Sequence, residues 1–223
     1  MPRLGERDEK ILDFIVRDYI RSAFPISSNR VFRGVSLEVS PATIRNAMLE
    51  LDQEGYLVQP HTSAGRVPTD KAYRYFVDWL IEYEGARKEE KVFIDEVLRK
   101  IYSRHLGLFT TIASFGRRTR IASFGFEEVL KEPEFEVREL LMEFGKLADN
   151  LERAAEHYLE ASVWERPKAF IGRENPDVNT KDFGAVSMKF KDDKSGEGVI
   201  FSLGPKRMNY EEIFRVYGLW TRF

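Results

Sequence analysis

Three side chains in one short stretch have the chemistry to read the edge of a base: Thr43, Arg45 and Asn46. An arginine can grip guanine through two hydrogen bonds, an asparagine can do the same with adenine, and a threonine can touch a phosphate or a thymine methyl. They stand in the run SPATIRNAMLEL, which begins at Ser40. Ser40 and Ala42 flank Pro41 at its start, where the free N–H groups of a helix can meet a phosphate. A second polar group follows, His61, Thr62, Ser63, Gly65 and Arg66. It suits backbone or minor-groove contact, with Gly65 permitting close approach.

The pattern predicts the elements that carry these groups. Ser40 is a good N-cap, Pro41 suits the first helical position, and Ile44, Met48 and Leu51 form one apolar stripe. Gly55 stops that helix. Tyr56, Leu57 and Val58 then lead into the polar loop, and Val67 and Pro68 close a β-hairpin longer than a two-residue turn requires. Upstream, Ile11, Leu12, Ile15 and Tyr19 give an amphipathic helix over residues 6–23 that ends by Pro25, and Ser27 or Ser28 caps a brief second helix. Downstream, Thr69 caps a helix with Tyr73, Phe76, Val77, Leu80 and Ile81 on its apolar face. Helix, short helix, turn, helix, hairpin is the order of a winged helix-turn-helix domain. One reading helix covers few base pairs, so useful affinity calls for two copies on an inverted repeat.

Composition narrows the alternatives. The chain has 223 residues, 43% of them hydrophobic, and a formal net charge of −2, which argues against a protein that coats nucleic acid without regard to sequence. The cations Arg30, Arg33, Arg45, Arg66, Lys71 and Arg74 fall in or beside the reading elements, whereas Asp8, Glu9, Asp13 and Asp18 lie on the first helix. This predicts a charge-segregated domain. No apolar run of about 18 residues occurs and the N-terminus is charged, so a cytoplasmic protein without membrane insertion is expected. With no cysteine, disulfides and thiolate chemistry are excluded. His61, His105 and His157 are too scattered for a metal site, and no metal or other cofactor is expected. Glu127, Glu128, Glu132 and Glu134 offer paired carboxylates without a nearby catalytic partner, and no phosphate-cradling loop appears, so an enzyme is not expected.

Residues 1–84 are thus read as the DNA-binding domain, 85–91 as a charged linker, and 92–223 as a second, α+β domain. Val92, Phe93, Val97, Leu98 and Ile101 open it as a helix. Residues 106–126 read as strand or turn and hold the near-repeat IASFG at Ile112 and Ile121. From Phe135 to Ala161, the spacing of Leu140, Phe144, Leu147, Leu151, Ala154 and Tyr158 makes a narrow apolar seam. That seam either joins two chains or covers a sheet. Ala169 and Ile171, then Val186, Met188 and Phe190, then Val199 to Leu203 alternate as strands of an antiparallel sheet. A last helix over 209–222 carries Tyr210, Ile213, Phe214, Tyr217 and Trp220. Dimerisation through the seam, the sheet edge or this aromatic helix stays open.

Through SPATIRNAMLEL and GYLVQPHTSAGRVPTDKAYRYFVD the chain resembles the DNA-binding domain of the heat-inducible transcription repressor family, HrcA. Later segments resemble it too: PEF at Pro133, IGREN from Ile171, DFGAVSMKF from Asp182 and GVIFSLGPKRMNYEEI from Gly198. The resemblance implies a repressor of chaperone and other heat-shock genes, active as a homodimer on an inverted-repeat operator and kept active by the chaperonin. It also implies a GAF-like second domain, truncated here, because the span before PEF is too short for the family's inserted dimerisation module. The rival is a ligand-sensing regulator whose pocket is lined by Phe170, Met188, Phe190 and Phe201.

Overall fold

The computed structural model describes residues 4–37, 39–61, 65–84, 106–116, 119–164, 166–192 and 196–220. Its internal contacts divide the chain into two units, Met1–Ala86 and Arg87–Phe223. The expected linker at 85–91 and the helix carrying Val92 to Ile101 lie outside the described residues.

In the first unit, α1 (Glu6–Ser22) buries Ile11, Leu12, Ile15 and Val16. Acidic residues fill its first turn and Arg21 its last, the arrangement the helix dipole favours. It ends at Ala23, whose left-handed backbone (φ 56) lets its N–H reach the Tyr19 carbonyl before Pro25 is met. Ser27 caps α2 (Ser28–Gly34) by accepting from the Arg30 N–H. Ser40 caps α3 (Pro41–Gln53), with Pro41 in the first turn. Gly55, at φ 78, turns the chain into the strand β1 (Leu57–Val58). That strand pairs antiparallel with β2 (Val67–Pro68), and a bridge between Ile26 and Arg66 lengthens the ladder on the far side. Thr69 then caps α4 (Asp70–Glu84), accepting from the Ala72 N–H while its hydroxyl donates to the Gly55 carbonyl at 2.7 Å. Ile15, Ile26, Val31, Ile44, Met48, Leu51, Tyr56, Phe76 and Val77 are buried, and each such side chain removed from water contributes about 1.5–3 kcal/mol. Ile81, expected on the apolar face of α4, is instead 48% exposed.

The second unit is built on a five-stranded antiparallel sheet ordered β4-β3-β7-β6-β5. The strands are β3 (Phe109–Phe115), β4 (Arg120–Phe124), β5 (Lys168–Ile171), β6 (Phe183–Asp192) and β7 (Gly196–Pro205). The two IASFG copies lie opposite one another in the β3–β4 hairpin, with Ile112 across from Ala122 and Ala113 across from Ile121. After β4 come a short helix, α5 (Phe126–Val129), and a 3-10 turn at Pro133–Glu136. Two helices, α6 (Arg138–Asp149) and α7 (Leu151–Ala161), follow.

The single helix expected over 135–161 is therefore broken at Asn150, whose backbone leaves the helical region (φ −121, ψ 35). Its apolar seam belongs to this chain's own core. Phe144, Leu147, Ala154 and Tyr158 are at most 1% exposed and cluster with Phe109, Phe170, Phe183 and Phe201, and Leu140 and Leu151 pack against that cluster. Tyr158 stacks on Phe201 at 4.4 Å. Burial withdraws Phe144, Leu147, Ala154 and Tyr158 from any surface a second chain could reach, while Leu140 and Leu151 are partly buried against them. The same holds for Tyr217 on α8 (Tyr210–Trp220), which is fully buried and donates to the Val186 carbonyl. The side chain of Trp220 lies outside the described residues.

Pairing register also corrects the expected ligand pocket. Phe170 and Phe201 belong to the cluster under α6 and α7, whereas Met188 pairs with Ile200 and points, with Phe190, through the opposite face of the sheet. The four side chains do not converge.

Polar groups tie the loops to this core. The Tyr158 hydroxyl donates to Asn175 Oδ1 at 2.6 Å, and Asn175 Nδ2 donates to the Gly172 and Phe183 carbonyls, both at 2.9 Å. Arg207, just after β7, grips Glu132 and Glu134, and Lys131 pairs with Glu127 and Glu128. The carboxylates singled out in the sequence thus serve as ion-pair partners.

Candidate nucleic-acid interface

Helix α3 turns one face inward, through Ile44, Ala47, Met48 and Leu51. The opposite face presents Ala42, Arg45, Asn46 and Leu49 to solvent. Their spacing of three and four residues puts them in one patch. At its N-terminal end, Ser40 Oγ accepts from the Thr43 N–H at 3.1 Å and lies 2.9 Å from Thr43 Oγ1. The Thr43 hydroxyl is thus engaged with the cap, and its methyl stands free to meet a base. Arg45, by contrast, is exposed and has no acidic partner among the described residues.

Leu49 is an apolar member of the same patch. It is 47% exposed, one turn beyond Arg45 and Asn46, and a methyl-bearing side chain there can meet the methyl of a thymine. The signal was present in the sequence, since Leu49 falls outside the stripe of Ile44, Met48 and Leu51.

The hairpin beside α3 places its polar residues differently from expectation. His61 is exposed, and Thr62 and Ser63 lie outside the described residues. Gly65 makes its close approach inside the protein: a Cβ at this position would sit 2.5 Å from the carbonyl carbon and oxygen of Ile26. Arg66 turns inward as well. Its Nε donates to Asp52 Oδ2, in the last turn of α3, at 2.8 Å, and its side chain is 17% exposed. The backbone N–H and C=O of Arg66 pair with Ile26, each at 2.9 Å. Gly65 and Arg66 thus fasten the base of the loop to the body of the unit.

Several other cations are anchored too. Arg30 is paired with Asp18 of α1 through an Nη2–Oδ1 bond of 2.8 Å, and Arg74 with Asp78 at 3.3 Å. Lys71 donates to the Glu54 carbonyl at 2.7 Å and lies 3.9 Å above the Tyr56 ring. The expected division into a basic and an acidic face is replaced by acids and bases paired with one another, across elements for Arg30–Asp18 and Arg66–Asp52 and within α4 for Arg74–Asp78. Arg33 and Arg45 are the exposed arginines of α2 and α3 without an acidic partner among the described residues.

Comparison with known proteins places the chain in a family. The family model described as the HrcA protein C terminal domain matches residues 74–214, more than half of the chain. The chain belongs to the HrcA family. It is 50% identical over 99 residues to the heat-inducible transcription repressor HrcA of Carboxydothermus hydrogenoformans, a match covering 44% of this chain and 28% of that one. With the HrcA of Chlorobium limicola the identity is 41% over 111 residues, 50% of this chain and 31% of that one. The chain thus matches less than a third of the length of these HrcA relatives. A crystal structure described as that of a hypothetical protein superposes with a TM-score of 0.73 at 22% identity, over 98% of both chains. That likeness shows the fold. Among the described residues no group of acidic or histidine side chains could hold a metal ion, and no helix is long and apolar enough to cross a membrane.

Proposed function

We propose that the chain is a sequence-specific DNA-binding repressor of heat-inducible genes, with residues 1–84 acting as a winged helix-turn-helix domain. The observation that carries this reading is the solvent-facing patch of α3, where Arg45, Asn46 and Leu49 stand beside a hairpin whose base is fixed to the same helix. In this reading α3 enters the major groove. Arg45 takes guanine, Asn46 takes adenine, and Leu49 and the Thr43 methyl touch thymine methyl groups. The first-turn N–H groups around Ser40 and Ala42 meet a phosphate, Arg33 a neighbouring one, and His61 with the hairpin tip reaches the flanking backbone or minor groove. The names of the relatives, heat-inducible transcription repressors, support the regulatory class. Residues 85–91 would serve as linker and 92–223 as a GAF-like regulatory domain. An inverted-repeat operator bound by two chains, and the chaperonin as a further partner, complete the proposal.

Fluorescence-anisotropy titration of a labelled inverted-repeat duplex against a scrambled one, at two salt concentrations, tests it. Tight binding of the repeat by two chains is the expected result, with base preference relaxed in Arg45→Ala. Equal, weak and strongly salt-dependent binding to both duplexes refutes sequence-specific repression.

A further inference from the structure

Helix α6 is apolar on two sides, and its own chain covers one of them. Phe144 and Leu147 are buried in the core, whereas Val137, Leu141 and Met142 are 48, 44 and 56% exposed. Val137, Leu141, Gly145 and Ala148 follow at spacings of four, four and three, so they form one stripe along the outer side of the helix. Phe126 of α5, 46% exposed, lies with its ring 5.3 Å from that of Phe144 and widens this apolar surface. Exposed apolar side chains gathered on one face, rather than scattered singly, mark an interaction site. Gly145 points the same way. A glycine inside a helix is less favourable than an alanine, yet a Cβ added here would meet no atom within 4 Å. Among the described residues nothing calls for a glycine at this place, whereas a helix packed closely against it from outside does.

Size and charge along the stripe show what fits there. Its N-terminal half is large, Val137 and Leu141, and its C-terminal half small, Gly145 and Ala148. An antiparallel copy of the same helix, with the two-fold axis level with Glu143, sets Leu141 of each copy against Gly145 of the other and Val137 close to Ala148, large on small. The charges beside the stripe agree. Arg138 and Asp149 are exposed, and neither has a partner among the described residues. Each stands at the end of α6 that the helix dipole disfavours, the cation at the start and the anion at the finish. In the antiparallel pair, Arg138 of each copy comes within one residue of the level of Asp149 of the other, and both lie beside the helix end that favours them. Glu139, Glu143 and Lys146 fall roughly 150° of helical rotation from the stripe, so no like charges are opposed. We infer that two copies of the chain associate through this face of α6, with the two helices antiparallel. The inference rests on the reading that two copies are needed on DNA, and supplies the surface that joins them from residues of the second unit alone.

Sedimentation equilibrium on the full chain tests it, giving the dimer dissociation constant for the wild type, Gly145→Leu, Arg138→Glu, Asp149→Arg and the double charge variant, with circular dichroism confirming that each is folded. Gly145→Leu is expected to weaken the dimer about tenfold or more. The melting temperature of the dilute, dissociated chain should not fall, because leucine favours the helix and its Cβ meets no neighbour. Each single charge reversal is expected to weaken the dimer about tenfold, since two contacts turn repulsive at once. The double variant restores the attraction with its sign exchanged and should return to within about threefold of the wild type. A monomeric wild type, a dimer indifferent to Gly145→Leu, or a double charge variant no tighter than the singles overturns the inference. Titrating a labelled half-site duplex with the same samples reads DNA recognition by one chain, so failure of the interface and failure of the DNA-binding reading give different results.

Discussion

Removing Asp52 separates two roles for Arg66 that predict opposite signs. If Arg66 fastens the hairpin to α3, its 2.8 Å bond to Asp52, between side chains only 17% and 29% exposed, is worth about 1–2 kcal/mol. That lies between a solvated ion pair and a sheltered charge-assisted bond. Loosening the hairpin by that amount should weaken operator binding by about five- to thirtyfold, at 1.4 kcal/mol per tenfold. Arg66→Ala, Asp52→Ala and the double variant should then lose similar affinity, because each breaks the same bond. The slope of log affinity against log salt should stay unchanged. If instead Arg66 holds a phosphate, Arg66→Ala should lower that slope by about 0.9, and Asp52→Ala, which removes an anion near DNA, should tighten binding. Anisotropy titrations at four salt concentrations decide it. Tighter binding by Asp52→Ala, with a reduced slope for Arg66→Ala, refutes the fastening role.

Gly65→Ala forces a Cβ to within 2.5 Å of the Ile26 carbonyl; separating that strand pair should cost about 1–3 kcal/mol, read as a lower melting temperature and weaker operator binding. Asn175→Ala removes three hydrogen bonds and leaves the buried Tyr158 hydroxyl without its 2.6 Å acceptor, so the denaturant midpoint should fall by the equivalent of about 2–4 kcal/mol. Burial, with the bond to Glu9 second, pushes the Tyr75 phenol up to about 12. The unfolded chain loses that proton near pH 10, so stability from this group is complete below about pH 10 and declines as pH rises toward 12. Tyr75→Phe should accordingly flatten the alkaline fall in stability, and an unchanged slope between pH 9 and 11.5 would count against this assignment.

The first unit was legible because its signals are local. Ser27, Ser40 and Thr69 cap the helices that follow them, and the buried stripe of α3 is the one its spacing gives. Alternation located β6 and β7 for the same reason. What escaped depends on partners distant in sequence. Arg66 and Asp52, or Arg30 and Asp18, are 14 and 12 residues apart, on different elements, so no periodicity marks them as pairs. Hence a segregated charge pattern was expected where an interleaved one stands. The seam from Leu140 to Tyr158 runs at helical spacing straight through Asn150, because α6 and α7 bend there while packing on the same sheet. Whether Phe170 and Met188 share a face depends on the register between β5 and β6, which neither strand carries by itself. Leu49 is the contrary case, its outward position following from helical angle alone.

The order of the sheet also bears on how the chain is made. Strand β7 lies between β3 and β6 and pairs Leu203 with Phe109, so the central strand is the last to leave the ribosome. The helices and hairpin of the first unit are complete by Glu84. At about 5–20 residues per second, the stretch from the end of β4 to the end of β7 takes roughly 4–16 s to synthesise. For that interval β3 has β4 on one side and an open row of backbone donors and acceptors on the other, a template for pairing with another nascent chain. Any factor that shields nascent protein would act on this unit within that window, after the first unit has acquired its shape.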